Sequence, residues 1–244
     1  MRNYKILVST LETLTAFIFD VDGVLLASPH ERAWREALGD LAEAERFTTA
    51  LYQAHVAGKP RLSGAISGLK ALGVRNAERE AVGYAERKQA RLEGLIAMGT
   101  VTAFPDALRF VEAVGILGWP LAVASSSKNA DAMMRAILLN SARSLLDVFT
   151  VNVCGRDLRR GKPDPEIFLI AASELGVPPA QCIVAEDATA GIAAARAGGM
   201  TALGVARLGD AEALRKARAD LMVASLDEIA LGDLALGRLS GRTS

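Results

Sequence analysis

Thr15-Ala16-Phe17-Ile18-Phe19-Asp20-Val21-Asp22-Gly23-Val24 begins as an apolar run and ends on two acids and a glycine. A short run rich in aromatic and branched residues reads as a buried strand, and the glycine lets the chain turn sharply beyond it. On an extended chain residues two apart face the same way, so Asp20 and Asp22 should project together from the strand's C-terminal end. In a parallel α/β sheet that end is where ligands bind. Two carboxylates held this close repel and lose hydration, an arrangement suited to a cation or a shared substrate proton. The plainer reading is a solvated Asp-x-Asp-Gly turn, and five residues alone do not separate the two.

Three later segments tip the balance. Ser125, Ser126 and Ser127 follow the run Leu121-Ala122-Val123-Ala124 and lead into Lys128-Asn129. Glu186 and Asp187 follow Cys182-Ile183-Val184-Ala185 and precede Gly191-Ile192 in an alanine-rich stretch. Lys162 lies in Gly161-Lys162-Pro163-Asp164-Pro165, ahead of helical apolar spacing at Ile167, Phe168, Ile170, Ala171 and Leu175, and proline in a first turn is a start signal. Acids, a lysine and hydroxyls thus recur at one kind of place, the exit of an apolar strand, as they would around one convergent site.

This ordered set resembles the haloacid dehalogenase superfamily of phosphotransferases, whose four motifs are matched by Asp20-x-Asp22, Ser125, Lys162 and Glu186-Asp187. Each motif is weak alone; all four in order, spanning nearly the whole chain, are a strong signal. The resemblance implies an α/β fold: a Rossmann-like parallel-sheet core with an inserted α-helical cap domain. It implies that Asp20 attacks a phosphoryl group and becomes an aspartyl phosphate, that Asp22 is the general acid/base, and that Ser125 and Lys162 contact the transferring group. It also implies Mg²⁺, held by Asp20, the backbone carbonyl of Asp22 and Asp187, with Glu186 beside them.

Those residue types suit the chemistry. Phosphoryl transfer asks a protein mainly to position an in-line attack and to neutralise equatorial charge, here the task of Mg²⁺ and a lysine. Mg²⁺ takes oxygen ligands and keeps several waters, so one or two carboxylates beside the substrate phosphate suffice. A carboxylate nucleophile divides one difficult displacement into two easier ones. Asp22 must then carry a proton while Asp20 is ionised, which unlike surroundings for the two carboxyls can arrange.

The patterning divides the chain in two. Residues from about Ser28 to Thr100 hold helical stretches (His30 to Leu41, Glu43 to Val56, Ser63 to Leu72, Ala77 to Met98) and no comparable buried strand. From Val101 helices (Pro105 to Leu117, Lys128 to Leu139, Pro163 to Leu175, Thr189 to Ala197) alternate with strands (Leu121 to Ala124, Val148 to Val151, Cys182 to Ala185, Thr201 to Gly204). Such alternation argues for a parallel sheet covered on both faces. The expected division is a core of residues 1–28 and 100–244 and a cap of residues 29–99. The last segment, Leu236 to Ser244, reads as frayed.

Within the insert, Gly58-Lys59-Pro60-Arg61 and Arg87-Lys88-Gln89, together with Ser125-Ser126-Ser127-Lys128-Asn129 in the core, resemble the β-phosphoglucomutase-like branch of the superfamily. That branch implies that Arg61 holds the distal phosphate of a bound sugar, a task its forked guanidinium suits. It implies that Gly58, Lys88, Gln89, Ser126, Ser127, Lys128 and Asn129 lie at substrate-contacting positions. His30-Glu31-Arg32-Ala33-Trp34 matches the branch's histidine-bearing hinge and first cap helix, which puts His30 in the set. The link from Asp22 is shorter than usual, and Ala27-Ser28 stands where Asp-Thr or Asp-Ser is common. Each of these residues alone is an ordinary solvated helix or loop residue.

Composition narrows the classes of partner. Of 244 residues 51% are hydrophobic, ample for a full core, and Lys plus Arg balance Asp plus Glu at 28 each, which argues against a nucleic-acid surface. The longest uncharged stretch, Ala113 to Ser127, is shorter than the ~20 residues of a membrane span and carries Gly115, Gly118 and Pro120. Met1 to Leu14 makes a poor signal peptide, with Glu12 in its apolar part. Cys154 and Cys182 lack metal spacing and read as packing residues of a reducing, cytoplasmic protein, as Met133 and Met134 read as packing. The expected partner is a small phosphorylated sugar, with no nucleic acid and no membrane, the chain acting as a monomer or weak homo-oligomer. The expected reaction is β-phosphoglucomutase-like isomerisation; the alternatives are a phosphatase for a small sugar phosphate and a non-catalytic module that kept the fold.

Overall fold

The computed structural model describes residues 13–242. Residues 1–12, with most of the Met1 to Leu14 segment read above, and the last two residues lie outside it. Ten strands form: β1 (Ala16–Phe19), β2 (Leu26–Ala27), β3 (Thr102–Ala103), β4 (Leu121–Val123), β5 (Leu138–Asn140), β6 (Arg143–Ser144), β7 (Val151–Asn152), β8 (Cys182–Glu186), β9 (Thr201–Val205) and β10 (Leu221–Val223). Six of them make one parallel sheet in the order β10-β9-β8-β1-β4-β7.

β1 lies at the centre because both of its faces are apolar. Phe17 and Phe19 point into one cluster with Phe110, Val111, Met133 and Leu145, while Ala16 and Ile18 point into the other with Ile167, Phe168, Val184 and Ile192. The helices over the first face are α5 (Pro105–Ile116) and α6 (Ala130–Ala136); those over the second are α7 (Glu166–Leu175) and α8 (Thr189–Ala197). The chain leaves β1 for β4 and β7, then crosses back to β8, β9 and β10. The winding direction therefore reverses between β1 and β8, where open α/β sheets leave a crevice at their carboxyl ends. Register aligns the exits: Phe19 pairs with Val123 on one side and Ala185 on the other.

Between β1 and β4 the chain departs through β2 and returns through β3, an antiparallel two-stranded ribbon. The excursion carries α1 (His30–Glu36), α2 (Thr49–His55), α3 (Arg61–Ala71) and α4 (Ala77–Ala97). These helices close on a core of their own around Trp34, Phe47, Leu69 and Tyr84. Tyr84 is fully buried there because its hydroxyl donates to the Trp34 carbonyl at 2.8 Å. The fold is thus the expected doubly wound α/β core with an inserted helical unit.

Several boundaries differ from the periodicity. The helix expected from Lys128 to Leu139 stops at Ala136, because Leu138–Asn140 pairs instead with Arg143–Ser144 in a hairpin whose Ser144 amide and hydroxyl both donate to Asp147. The helix expected from Glu43 to Val56 breaks at Phe47, and Thr48 caps α2 by accepting from the Leu51 amide at 3.2 Å. Leu236 to Arg242 is ordered rather than frayed. Gly237 accepts from the Leu14 amide, Ser240 from Ala230, and Gly241 bridges Ile229, so backbone pairing holds a segment whose composition suggested none. Met133, Met134 and Cys182 are buried in the packing and Cys154 is half-buried. No helix among the described residues is long and apolar enough to cross a membrane.

Candidate active site

Three strand exits build the floor of the site. Asp20 continues β1, its amide donating to the Ala185 carbonyl at 3.0 Å; Ser125 follows β4, and Glu186 ends β8 with Asp187 next. Asp20, Ser125 and Glu186 are all buried, as is Lys162, which reaches them from the loop before α7. Lys162 Nζ donates to Asp20 Oδ1 at 2.5 Å and to Glu186 Oε1 at 2.9 Å, and it lies 4.8 Å from the centre of the Phe168 ring. The other carboxylate oxygen of Glu186 accepts from the Asp187 amide at 3.0 Å.

Electrostatics here is set by burial. It pushes Glu186 up to about 7 against the pull of Lys162, and it raises Asp20 in the same way, with Asp22 adding to the rise. Burial works against the charge on Lys162, but Asp20 and Glu186 outweigh it and hold the ammonium charged. Asp187 is driven well above the usual carboxylate range by burial and then by Glu186 and Asp20. One ammonium therefore faces two buried acids and the half-buried Asp187, a set short of positive charge.

That shortage is the test of fit for a metal. Asp20, Glu186 and Asp187 offer oxygens within 4.8 Å of one another, and all are hard donors of the kind Mg²⁺ takes. Both Glu186 oxygens are already engaged, by Lys162 and by backbone amides, whereas no hydrogen bond reaches the Asp187 carboxylate among the described residues. The donor set fits the ion, with Asp20 and Asp187 best free to hold it.

Asp22 occupies different surroundings. Its Oδ1 is buried with no hydrogen-bond donor among the described residues, and burial raises its carboxyl against the pull of Ser28, Lys88 and Lys162. The nearest side-chain nitrogen is His30 Nε2 at 3.6 Å. Burial and Lys88 keep that imidazole well below its usual range, hence neutral, so the contact is no ion pair. His30 Nδ1 lies 3.1 Å from Lys88 Nζ and its Nε2 3.4 Å from Ser127 Oγ.

Above this floor the insert forms a second wall, enclosing a cleft of about 450 Å³. His30, Gly58, Arg61, Lys88, Gln89, Ser126, Ser127, Lys128 and Asn129 all line it together with Asp20, Asp22 and Ser125. Three contacts tie the walls: Gln89 Nε2 donates to Asn129 at 3.2 Å, Ser126 donates to the Gly58 carbonyl at 3.3 Å, and His30 meets Ser127. Gly58 has φ +72°, and a Cβ there would stand 3.1 Å from the Ala188 Cβ, so glycine lets this loop settle on the Glu186-Asp187 turn without strain. Lys88 is pushed down to about 8 by burial, with Arg61 pushing the same way and Asp22 opposing. Within the floor, Lys162 and Glu186 lie beneath the cleft surface rather than on it.

Sequence reasoning passed over Tyr52, Gln53 and Arg207, which also line the cleft. The Tyr52 phenol is driven well above its usual range by burial and then by Asp187 and Asp22, and Gln53 Oε1 is buried with no donor among the described residues. Nothing in their spacing marks them; a short helix and a post-strand turn bring them in.

A doubly wound sheet with two acids after its central strand, a buried lysine and an acidic turn on the adjacent strand defines a class, and comparison confirms it. The chain matches the haloacid dehalogenase-like hydrolase family over residues 14–199 and belongs to it. It is an enzyme of that family, and β-phosphoglucomutases and sugar phosphatases stand among its relatives. The β-phosphoglucomutase of Mycobacterium tuberculosis (strain CDC 1551 / Oshkosh) is 35% identical over 248 residues, covering 89% of this chain and 92% of that one. Fructose-1-phosphate phosphatase YqaB of Escherichia coli (strain K12) is 33% identical, covering 80% and 97%. The crystal structure of β-phosphoglucomutase from Clostridium difficile superposes with a TM-score of 0.74 at 29% identity, covering 91% of this chain and 95% of that one.

Proposed function

We propose that this enzyme interconverts sugar phosphates by β-phosphoglucomutase-like phosphoryl transfer through Asp20. The observation that carries the reading is the composition of the cleft: Asp20 and Asp22 on its floor share it with Arg61 and Lys88, two cations on the opposite wall. A single-phosphate ester needs no cation there, whereas a sugar that carries phosphate at both ends during turnover does.

In this reading residues 1–28 and 100–244 form the core and residues 29–99 the cap; the β2/β3 ribbon, which joins them near both boundaries, supports the division. Asp20 and Asp187, with the Asp22 carbonyl, would hold Mg²⁺, which when bound neutralises charge on the transferring group. Lys162 fixes one oxygen of Asp20 and leaves the other to attack, and Glu186 holds Lys162 from behind. Attack forms the Asp20 Oδ–P bond and breaks the bond to the leaving sugar oxygen, which takes its proton from Asp22. Ser125 contacts the phosphoryl group. Asp20 then passes that phosphoryl group to a free hydroxyl of a sugar phosphate: the Asp20 Oδ–P bond breaks, a sugar O–P bond forms and Asp22 takes the hydroxyl proton, and the bisphosphate so made reorients and returns its other phosphate to Asp20. Arg61 holds the distal phosphate, while Lys88, Gln89, Ser126, Ser127, Lys128 and Asn129 bind the sugar, with His30 and Gly58 at the seam of the two walls. Closure over them excludes water from the aspartyl phosphate. Nothing in this chemistry calls for a nucleic acid or a membrane.

The resemblance to YqaB supports a second reading, in which water attacks the same aspartyl phosphate and a sugar phosphate is hydrolysed. One incubation separates them: purified enzyme with β-glucose 1-phosphate, Mg²⁺ and a trace of the bisphosphate. Formation of glucose 6-phosphate faster than free phosphate supports the mutase; free phosphate alone supports the phosphatase.

A further inference from the structure

Arg207 takes no part in the phosphoryl chemistry described above, yet its guanidinium is among the most fully engaged groups beside the cleft. It follows β9, and its Nε donates to the Gly23 carbonyl and its Nη2 to the Val24 carbonyl, both at 3.1 Å. Its Nη1 donates to Asp106 Oδ2 at 2.9 Å, and its central carbon lies 3.9 Å over the Phe104 ring. Asp106 Oδ2 accepts in addition from Ser225 Oγ at 2.9 Å and from the Leu226 amide at 2.8 Å.

What these partners have in common is their place in the chain. Gly23 and Val24 directly follow Asp22 and lead into β2, the strand that departs for the helical insert. Phe104 directly follows β3, the strand that returns from it, Asp106 lies in the first turn of α5 just beyond, and the Phe104 amide donates to the Leu25 carbonyl at 3.0 Å. One side chain thus grips both linkers just below the ribbon they form. On the Gly23 side the tolerance is small: φ is +81°, and a Cβ would lie 2.0 Å from Asp187 Oδ2. The peptide that Arg207 holds is therefore wedged between Asp22 and Asp187. A planar fork that bridges two successive carbonyls fixes the tilt of that peptide, which a single ammonium cannot do.

We infer that Arg207 is a positioning residue: it sets the Gly23–Val24 backbone, hence the aim of Asp22, and anchors the root of both linkers to the core. The inference rests on the phosphoryl-transfer reading for its kinetic consequence and on geometry alone for its structural one. A misplacement of about 1 Å can cost on the order of 10²-fold in rate. Arg207→Met should therefore lower kcat by about 10- to 100-fold for a small aryl phosphate and a sugar phosphate alike, with KM for the small ester little changed. Arg207→Lys, which can reach one carbonyl, should recover part of the loss. Amide hydrogen exchange supplies a readout free of turnover: in Arg207→Met the amides of Leu25, Leu26 and Phe104 should exchange faster while Ile183 to Ala185 stay protected.

Wild-type kcat and wild-type exchange in Arg207→Met overturn the proposal. So does a uniform rise in exchange across the sheet, which would mark Arg207 as a general stabiliser. If Arg207→Met does not fold, Arg207→Lys is read by the same two measurements, and it must show faster exchange at Leu25, Leu26 and Phe104 for the proposal to stand. Absence of turnover of any phosphate ester by the wild type would sink the functional reading, and the exchange result would still decide the role of Arg207.

Discussion

The two walls of the cleft are built on opposite terms. Asp20, Ser125 and Glu186 leave strands that neighbours hold in register on both sides; Lys162 ties Asp20 to Glu186, and backbone amides donate to Glu186 and Ser125. The facing wall uses helix starts, a loop and mid-helix side chains: Arg61 opens α3, Gly58 lies in the loop before it, and Lys88 and Gln89 ride on α4. Arg61 is exposed, and only a few hydrogen bonds cross the seam. A rigid floor suits chemistry, since charge aimed in advance costs no reorganisation during reaction. A wall hung on two thin linkers suits admission and selection of substrate.

That contrast predicts where substitutions act. The largest effect belongs to Asp20→Asn, which removes the carboxylate proposed as nucleophile with little change in size. Turnover of every phosphate ester should vanish while circular dichroism and thermal unfolding stay those of a folded protein, and wild-type turnover in a folded Asp20→Asn would refute the floor's role. Next comes Asp22→Asn. A placed proton donor contributes about 10²–10⁴ in rate, so loss of that order is expected with poor leaving groups and much less with activated aryl phosphates in the phosphoenzyme-forming step. Equal losses for both would remove Asp22 as acid.

Arg61→Ala tests the other wall. Charge-assisted hydrogen bonds contribute about 1.5–3 kcal/mol each, so losing the forked contact proposed for Arg61 and a distal phosphate should depress the proposed isomerisation by about 10²-fold or more. Hydrolysis of a small ester with one phosphate should be spared. If both activities fell together, the division of labour between the walls would fail.

The smallest effect concerns pH and the linker anchor. Burial raises the Asp106 carboxyl, but Arg207, the Leu226 amide and Ser225 outweigh it and leave the group below its ordinary value of 3.8. A carboxyl depressed in the folded state contributes stability above its unfolded pKa and loses it as pH falls through the folded one. Denaturant unfolding should therefore show wild type more stable than Asp106→Asn above about pH 4, by no more than about 1–2 kcal/mol, with the gap closing in stronger acid. A gap independent of pH would mean that packing, not charge, holds this anchor.

Much of the floor was legible because its logic is local. An apolar run ending in Asp20-x-Asp22-Gly23 announces a strand, its exit and its turn within one stretch, and Ser125 and Glu186-Asp187 repeat the pattern. The resemblance carried by the order of those motifs then gave Lys162 and the cap residues their expected places, and the structure brings those from His30 to Asn129 to one cleft. Tyr52, Gln53 and Arg207 escaped because no periodicity or motif distinguishes them from surface residues. The β5/β6 hairpin and the ordered tail escaped for a related reason: pairing partners outside the segment, not its own composition, fix its conformation.

The sequence by itself determined the alternation of strand and helix, the polarity of each strand end and the stock of acids, hydroxyls and lysine, since burial and backbone geometry act on neighbours along the chain. Packing at long range settles which exits adjoin, that Lys162 engages Glu186 while no hydrogen bond among the described residues reaches the Asp187 carboxylate, and that Arg207 grips both linkers. Those outcomes depend on contacts between residues far apart along the chain, and such distances close only when the sheet and its insert pack together.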